Sequence, residues 1–235
     1  MKSGNDLQAV KAYMECRERC AKAMEKKGVD HAFPFVTISR EACAGGTTVA
    51  HKVVEYLSEG ESPEKAWKFF DRELVQAVIE KHDLPKEMAR FLTENKISEI
   101  RDIVESLLEM HPPAFALVRK TSETILHLAK IGHAVMVGRG ANLVTRKLRG
   151  GLHVRLIGSV EKRVQHAEDF YKVSHAEAVE KVKAADAARK QYIRQNFDKN
   201  IEDPHLYDLV INTDHISYAD AARMIADQVL RQHRL

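Results

Sequence analysis

Residues 33–48 read FPFVTISREACAGGTT, and this stretch decides the fold. Its first half, Phe33 to Ser39, is aromatic and β-branched, the composition of a strand. The second half turns through Gly45 and Gly46 into Thr47 to Leu57, where Val49, Val53, Val54 and Leu57 lie on one side of a helix. A strand, a glycine-bearing turn and a helix opening on Thr make an anion cradle. Glycines let backbone N–H groups approach oxygen atoms, the helix N-terminus adds partial positive charge, and a Thr hydroxyl reaches a phosphate-bound metal.

Set against the phosphate-loop pattern G-x-x-x-x-G-K-[ST], the segment keeps the second glycine as Gly45 and the Thr as Thr47. Arg40 stands at the first glycine and Gly46 at the lysine. The candidate phosphate-binding positions are Cys43, Ala44, Gly45, Gly46, Thr47 and Thr48, with Arg40 as the cation that supplies the missing lysine charge. A turn that binds nothing is the competing reading.

Further short apolar strands are expected at 67–71, 133–137, 152–157 and 208–212, the last of them DLVIN. Helices are expected between them, at 113–131, 159–171, 174–196 and 218–231, with a mostly helical stretch over 72–130. Five strands alternating with helices imply an α/β fold, a five-stranded parallel sheet covered by helices on both faces. Near-continuous apolar runs such as AVMV and LVI predict strands buried on both sides. Residues 1–30 read as a helical extension, its helix over 5–27, and residues 31–235 as one domain.

In such sheets ligands bind beyond the carboxyl ends of the strands. Strand three ends in Gly138-Arg139-Gly140, where a guanidinium with backbone room around it suits an anion or a structural ion pair. After strand four, Asp186 and Arg189 share a helix face, followed by Lys190 and Arg194; ordinary surface pairs have the same spacing.

The net charge of +3 is far from that of a nucleic-acid binder. It conceals an asymmetry: residues 59–109 carry 13 acidic and 8 basic side chains, residues 139–199 carry 14 basic and 7 acidic. Local Arg excess in a nearly neutral chain points to a small, highly anionic ligand, or to a solvated helical surface. A mean hydropathy of −0.37 and the absence of a long apolar run exclude a membrane span, and three cysteines suit reduced thiols, so a cytoplasmic protein is expected. Cys16 and Cys20 make a poor zinc pair, the histidines show no ligand spacing, and Trp67 reads as core.

REACAGG, KFFDRELV, VMVGRGAN, DAARKQYIRQNF and YDLVINTD, in this order, resemble the cytidylate kinase-like family of phosphate-loop proteins over residues 33 to 232. The resemblance implies a nucleoside monophosphate kinase-like fold, with 72–130 as a helical acceptor-side insertion and 159–200 as lid-bearing helices. It implies an ATP-dependent phosphotransferase that uses Mg²⁺ through the Thr47 hydroxyl. Its acceptor would be a nucleoside monophosphate, CMP or dCMP among them, or a related small phosphorylated molecule. Arg139, Asp186, Arg189 and Arg194 join Arg40 as catalytic candidates, and Asp71, Arg72 and Arg139 are acceptor-side candidates. Gly46 in place of the loop lysine, with Val137 and Gly140 in place of two aspartates of true cytidylate kinases, supports a second reading: a nucleotide-binding sensor or adaptor without transfer. The expected partner is a small nucleotide or phosphorylated substrate, with no nucleic acid or membrane and with the N-terminal helix as a candidate homodimer element.

Overall fold

The structure is a computed structural model that describes residues 33–62, 66–71, 116–138 and 140–233, with positions 13, 16, 19, 103 and 104. Five strands, β1 (Phe35–Arg40), β2 (Lys68–Phe70), β3 (Ala134–Val137), β4 (Gly151–Ile157) and β5 (Leu209–Asn212), form one sheet in the order β2-β3-β1-β4-β5. Every neighbouring pair is parallel. The helices are α1 (Gly46–Ser58), α2 (Ala116–Ile131), α3 (Ala141–Val144), α4 (Val160–Tyr171), α5 (His175–Phe197) and α6 (Tyr218–Gln232).

Period-two alternation along β1 divides the core. Phe35 points to the face that also holds Phe70 and Met136, covered by α2 and α3 through Ile125, Leu128, Ala129, Ala141 and Val144. Val36 and Ile38 point to the other, with Val135, Val137, Leu152, Val154 and Leu156, covered by α1 and α6 through Val49, Val53, Ile225 and Val229. Each of the larger aliphatic and aromatic side chains buried here contributes about 1.5–3 kcal/mol. The expected layers are therefore present, and Trp67 is in the core, stacked on His133.

Two strands depart from the expectation of apolar burial on both sides. β5 is an edge strand; only Ile211 is buried, and Val210 is 43% exposed, because β4 alone flanks it. β4 sends Leu152, Val154 and Leu156 to one face and polar His153 and Arg155 to the other, where both are buried. Each finds its partner on the register neighbour in β1: His153 Nδ1 lies 2.8 Å from Thr37 Oγ1, and Arg155 Nη1 donates to Ser39 Oγ at 3.0 Å.

Of the expected helix over 5–27, only Tyr13, Cys16 and Arg19 lie within the described residues, all helical. Tyr13 is buried against Phe70 and donates its hydroxyl to the Gly132 carbonyl, so at this position the segment packs on the chain's own core. Most of the expected 72–130 insertion lies outside the described residues; α2 is its described end.

Placing β1 in the middle of the sheet brings the loop after it to the centre of the carboxyl edge, flanked by the ends of β3 and β4. The α4–α5 hairpin packs on that loop through Ala42, against Val164, Ala167, Ala178 and Val182. Three polar caps fix the surrounding helix starts: Ser159 for α4, the Ser174–Glu177 capping box for α5 and Ser217 for α6.

Burial holds the imidazoles of His127 and His153 below their ordinary value of 6.5. Unfolded, both take up protons near that value; folded, they do not. Their neutral burial therefore costs nothing above pH 6.5 and destabilises the fold progressively below it. Thermal melts should show a midpoint that falls between pH 7.5 and pH 5.5, and a flatter dependence in His127→Gln/His153→Gln.

Candidate functional site: the loop between β1 and α1

Residues 41–45 leave β1 as a continuation of its ladder, with the Glu41 N–H donating to the Leu156 carbonyl at 3.0 Å. The chain then turns through two left-handed residues, Cys43 (φ 60°) and Gly45 (φ 80°). Gly45 is the N-cap of α1; no side chain caps this helix and its first turn holds no acidic residue. A 13-residue helix therefore presents its N-terminal N–H groups without an internal anion. Ala44, Gly45 and Gly46 are buried, whereas Thr47 and Thr48 are exposed on the first turn.

Below the loop lies a buried charged network. Arg163, on the first turn of α4, is 6% exposed. Its Nε donates to the Gly158 carbonyl at 2.8 Å and lies 3.3 Å from Glu41 Oε2; its Nη1 donates to the Ala42 carbonyl at 3.2 Å and to Asp186 Oδ2 at 2.6 Å. Asp186, on α5, also accepts the Ala42 N–H at 2.7 Å through Oδ1, with Arg189 Nη1 3.5 Å away. Glu41 accepts the Gly158 N–H at 3.0 Å. Arg155 lies 3.9 Å from Glu41 and 5.6 Å from the centre of the Tyr207 ring.

Above the loop, the His166 ring on α4 bonds the Cys43 carbonyl at 2.8 Å and the Tyr218 hydroxyl lies 3.2 Å from the same nitrogen. Burial raises the Cys43 thiol above its usual value, against the pull of Arg189 and Arg163, so it stays protonated at neutral pH.

Arg40 spans the centre of the site. A Cβ at Gly46 would lie 2.8 Å from Arg40 Cγ, and one at Gly138 only 2.5 Å from its Nη1. The stem thus crosses the position the pattern gives to lysine, and the guanidinium rests on the end of β3. Two cavities meet at Arg40, and a third lies at Cys43. One of about 370 Å³ lies between β1, β3 and α5, lined by Ser39, Arg40, Gly138, Asn142, Arg189 and Tyr192 among others. A second of about 440 Å³ is lined by Arg40, Glu41, Asp186, Arg189 and Lys190 among others. A third of about 290 Å³ touches the loop at Cys43 and includes Lys162, His166, Asp214 and Tyr218. Arg189 Nη1 is buried at the first two with no hydrogen-bond partner, an unfilled donor in a cationic cavity.

The structure thus brings Arg40, Cys43, Ala44, Gly45, Gly46, Asp186 and Arg189 together, with Thr47 and Thr48 at the helix start. Arg194 is not brought in: it is exposed and 3.3 Å from Asp198. Five residues of helix put it roughly 140° around from Arg189. Asp71, past the edge strand β2, lines none of these three cavities. Arg72 and Arg139 lie outside the described residues. Glu41, Arg155, Arg163, His166 and Tyr218 were not candidates. Glu41 sits inside the quoted loop, and a basic residue on the buried face of a strand, Arg155, was a signal that period-two reading could have raised.

Sheet order, the central strand-to-helix loop and the helix start give the chain the fold of the phosphate-loop kinases. The model of the cytidylate kinase-like family matches residues 35–215, and the chain belongs to that family. Among solved structures it is similar to an uncharacterized protein from Eubacterium ventriosum, at 18% identity and a TM-score of 0.56 over 83% of this chain and 98% of that one. It also matches shikimate kinase from Acinetobacter baumannii in complex with shikimate, at 17% identity and a TM-score of 0.41, over 86% and 96% of the two chains. Shikimate kinase from Bacteroides thetaiotaomicron matches at 13% and 0.43, over 86% and 99%. No curated protein matches the sequence. No helix among the described residues is long and apolar enough to cross a membrane.

Arg163→Met should cost about 3 kcal/mol in urea unfolding, because it takes from Glu41 and Asp186 the cation closest to each in a partly buried network. Arg194→Ala, which removes an exposed pair, should stay within about 0.5 kcal/mol of the parent.

Proposed function

We propose that the protein is an ATP-dependent phosphotransferase whose acceptor is a nucleoside monophosphate or a related small phosphorylated molecule. The observation that carries this reading is the course of Arg40, stem over Gly46 and guanidinium at the end of β3. A conventional loop sends a lysine from the position of Gly46 to the transferred phosphoryl group. Here the two side chains exclude each other sterically, and the cation arrives from the opposite end of the loop. Glycines at 46 and 138 make that exchange geometrically workable.

In this reading the N–H groups of residues 43–47 hold the β-phosphate of the donor, and the acceptor occupies the 370 Å³ cavity beside Arg189. Arg189, with an unfilled donor, meets the migrating phosphoryl group, and Arg139 is assigned to the acceptor phosphate. No general base is needed when the acceptor is itself a phosphate. Among the described residues no cluster of three His, Cys, Asp or Glu side chains could hold a metal. That fits Mg²⁺ held by the nucleotide's own phosphates, water and the exposed Thr47 hydroxyl, where it would neutralise phosphate charge. The carboxylate of Asp186 is committed to Ala42 and Arg163, which assigns it to the loop and not to the metal.

The missing lysine also favours a nucleotide sensor without transfer; binding of ATP with no product over hours would select that reading. The kinase reading expects Arg40→Ala to lower turnover by about a hundredfold or more, roughly 2.7 kcal/mol of transition-state stabilisation. Gly46→Lys alone should also impair, since the new side chain meets Arg40, while Arg40→Gly/Gly46→Lys should recover activity as a conventional loop. Absence of phosphate transfer from ATP across a screen of nucleoside monophosphates and other small phosphorylated acceptors would overturn the kinase reading.

A further inference from the structure

Two residues three apart on α4 grip two successive carbonyls of the loop. Arg163 Nη1 donates to the Ala42 oxygen at 3.2 Å and His166 bonds the Cys43 oxygen at 2.8 Å. A carbonyl only accepts, so His166 Nδ1 carries the proton in this contact. In a planar trans peptide the N–H of the next residue points opposite to the carbonyl. Fixing the Ala42 and Cys43 carbonyls on α4 therefore turns the N–H groups of Cys43 and Ala44 away from α4; the Ala44 N–H closes the turn on the Glu41 carbonyl at 3.4 Å, and the Cys43 N–H faces away from α4. The Cys43 conformation is one a residue with a side chain adopts only at a steric cost (φ 60°), so it persists where neighbours hold it. Tyr218 completes the grip from α6. Its ring fills the place of a Gly45 side chain, 2.4 Å from where that Cβ would stand, and its hydroxyl is 3.2 Å from His166 Nδ1.

We infer that His166 and Tyr218 are positioning residues of the phosphate loop: through the Cys43 carbonyl and through Gly45 they hold the two left-handed turns that aim the loop's N–H groups at an anion. This deepens the phosphotransferase reading and rests on it. Neither side chain touches the reacting atoms; both act through the backbone.

Calorimetric titration with ATP and, separately, with inorganic tripolyphosphate tests the inference, because tripolyphosphate has no base or sugar to meet the neighbouring cavity. His166→Ala should weaken both ligands by about tenfold, and His166→Asn, whose amide nitrogen stands near the place of Nδ1, should return both to within about threefold of the parent. Tyr218→Ala should weaken both likewise. In turnover assays the loss should fall on KM for ATP more than on kcat, and thermal melts should confirm that each variant is folded. Unchanged tripolyphosphate binding in folded His166→Ala overturns the inference, as does loss of ATP binding alone, which would make His166 a nucleoside contact. Failure of His166→Asn to rescue also overturns it. If the parent protein binds neither ligand, the phosphotransferase reading falls first and the inference with it.

Discussion

One guanidinium holds the site together. Arg163 is nearly excluded from water, and a buried charge is tolerated only when its hydrogen bonds and its charge are both answered. Two carbonyls, Gly158 and Ala42, and two carboxylates, Glu41 and Asp186, answer it. These groups come from the end of β4, the start of the loop and the middle of α5. A single side chain thus makes the ends of two central strands, the loop and the α4–α5 hairpin mechanically one body. The position of Arg163 is set in turn by the start of α4, where Ser159 caps the helix and Asp214 accepts the Ser159 N–H.

That arrangement explains how the loop departs from the usual pattern and still turns correctly. A phosphate loop needs its N–H groups convergent, which costs conformational strain. The strain here falls on Cys43, since Gly45 adopts its left-handed conformation freely, and the contacts that offset it come from outside the loop: Arg163 and His166 on one side, Tyr218 on another. Arg40 crosses the position of Gly46, where the usual pattern has its lysine. Gly138 gives way to the same side chain at β3. A Cβ at Gly46 would meet the Arg40 stem, and at Gly138 the positive φ (87°) itself favours glycine beside the guanidinium.

The strand, loop and helix were legible because each is a local pattern: β-branched alternation in β1, then Val49, Val53 and Leu57 on one face of α1. Gly45 was legible as a turn residue. The grip on the loop was not, since it joins residues far apart in the chain: Ala42 with Asp186, Cys43 with His166, Ser39 with Arg155. Nothing in the local sequence of α4 distinguishes Arg163 from a solvated arginine until Ala42 is set against it. The two arginines of α5 show the same limit. Arg189 and Arg194 look alike as members of a basic helix, and helical periodicity separates them only once the direction of the loop is known. β5 was read as buried because its composition is apolar; edge position, a property of sheet order, left Val210 in solvent.

The basic excess over residues 139–199 takes on a different meaning in the folded chain. Part of it is answered by two acids from outside the segment, Glu41 and Glu202, and other members pair within it. Arg155 lies on Ser39 and Tyr207, Arg163 lies between two acids, Lys190 is 2.6 Å from Glu202, and Arg194 pairs with Asp198. Counting charges along the chain therefore overstates the field an anion would meet. What concentrates positive potential at the cavities is the contrast in pairing. Arg189 keeps a buried N–H group unfilled there, and burial lowers its affinity for its proton despite Asp186 nearby. A guanidinium stays charged under such a shift, so its desolvation is relieved when an anion arrives. The second cation at that cavity, Arg40, lies outside the basic segment altogether, on the strand with which the fold begins. The two arginines that line both cavities thus come from β1 and from α5, and of the basic segment Arg155 and Arg163 are the members that contact the loop between them.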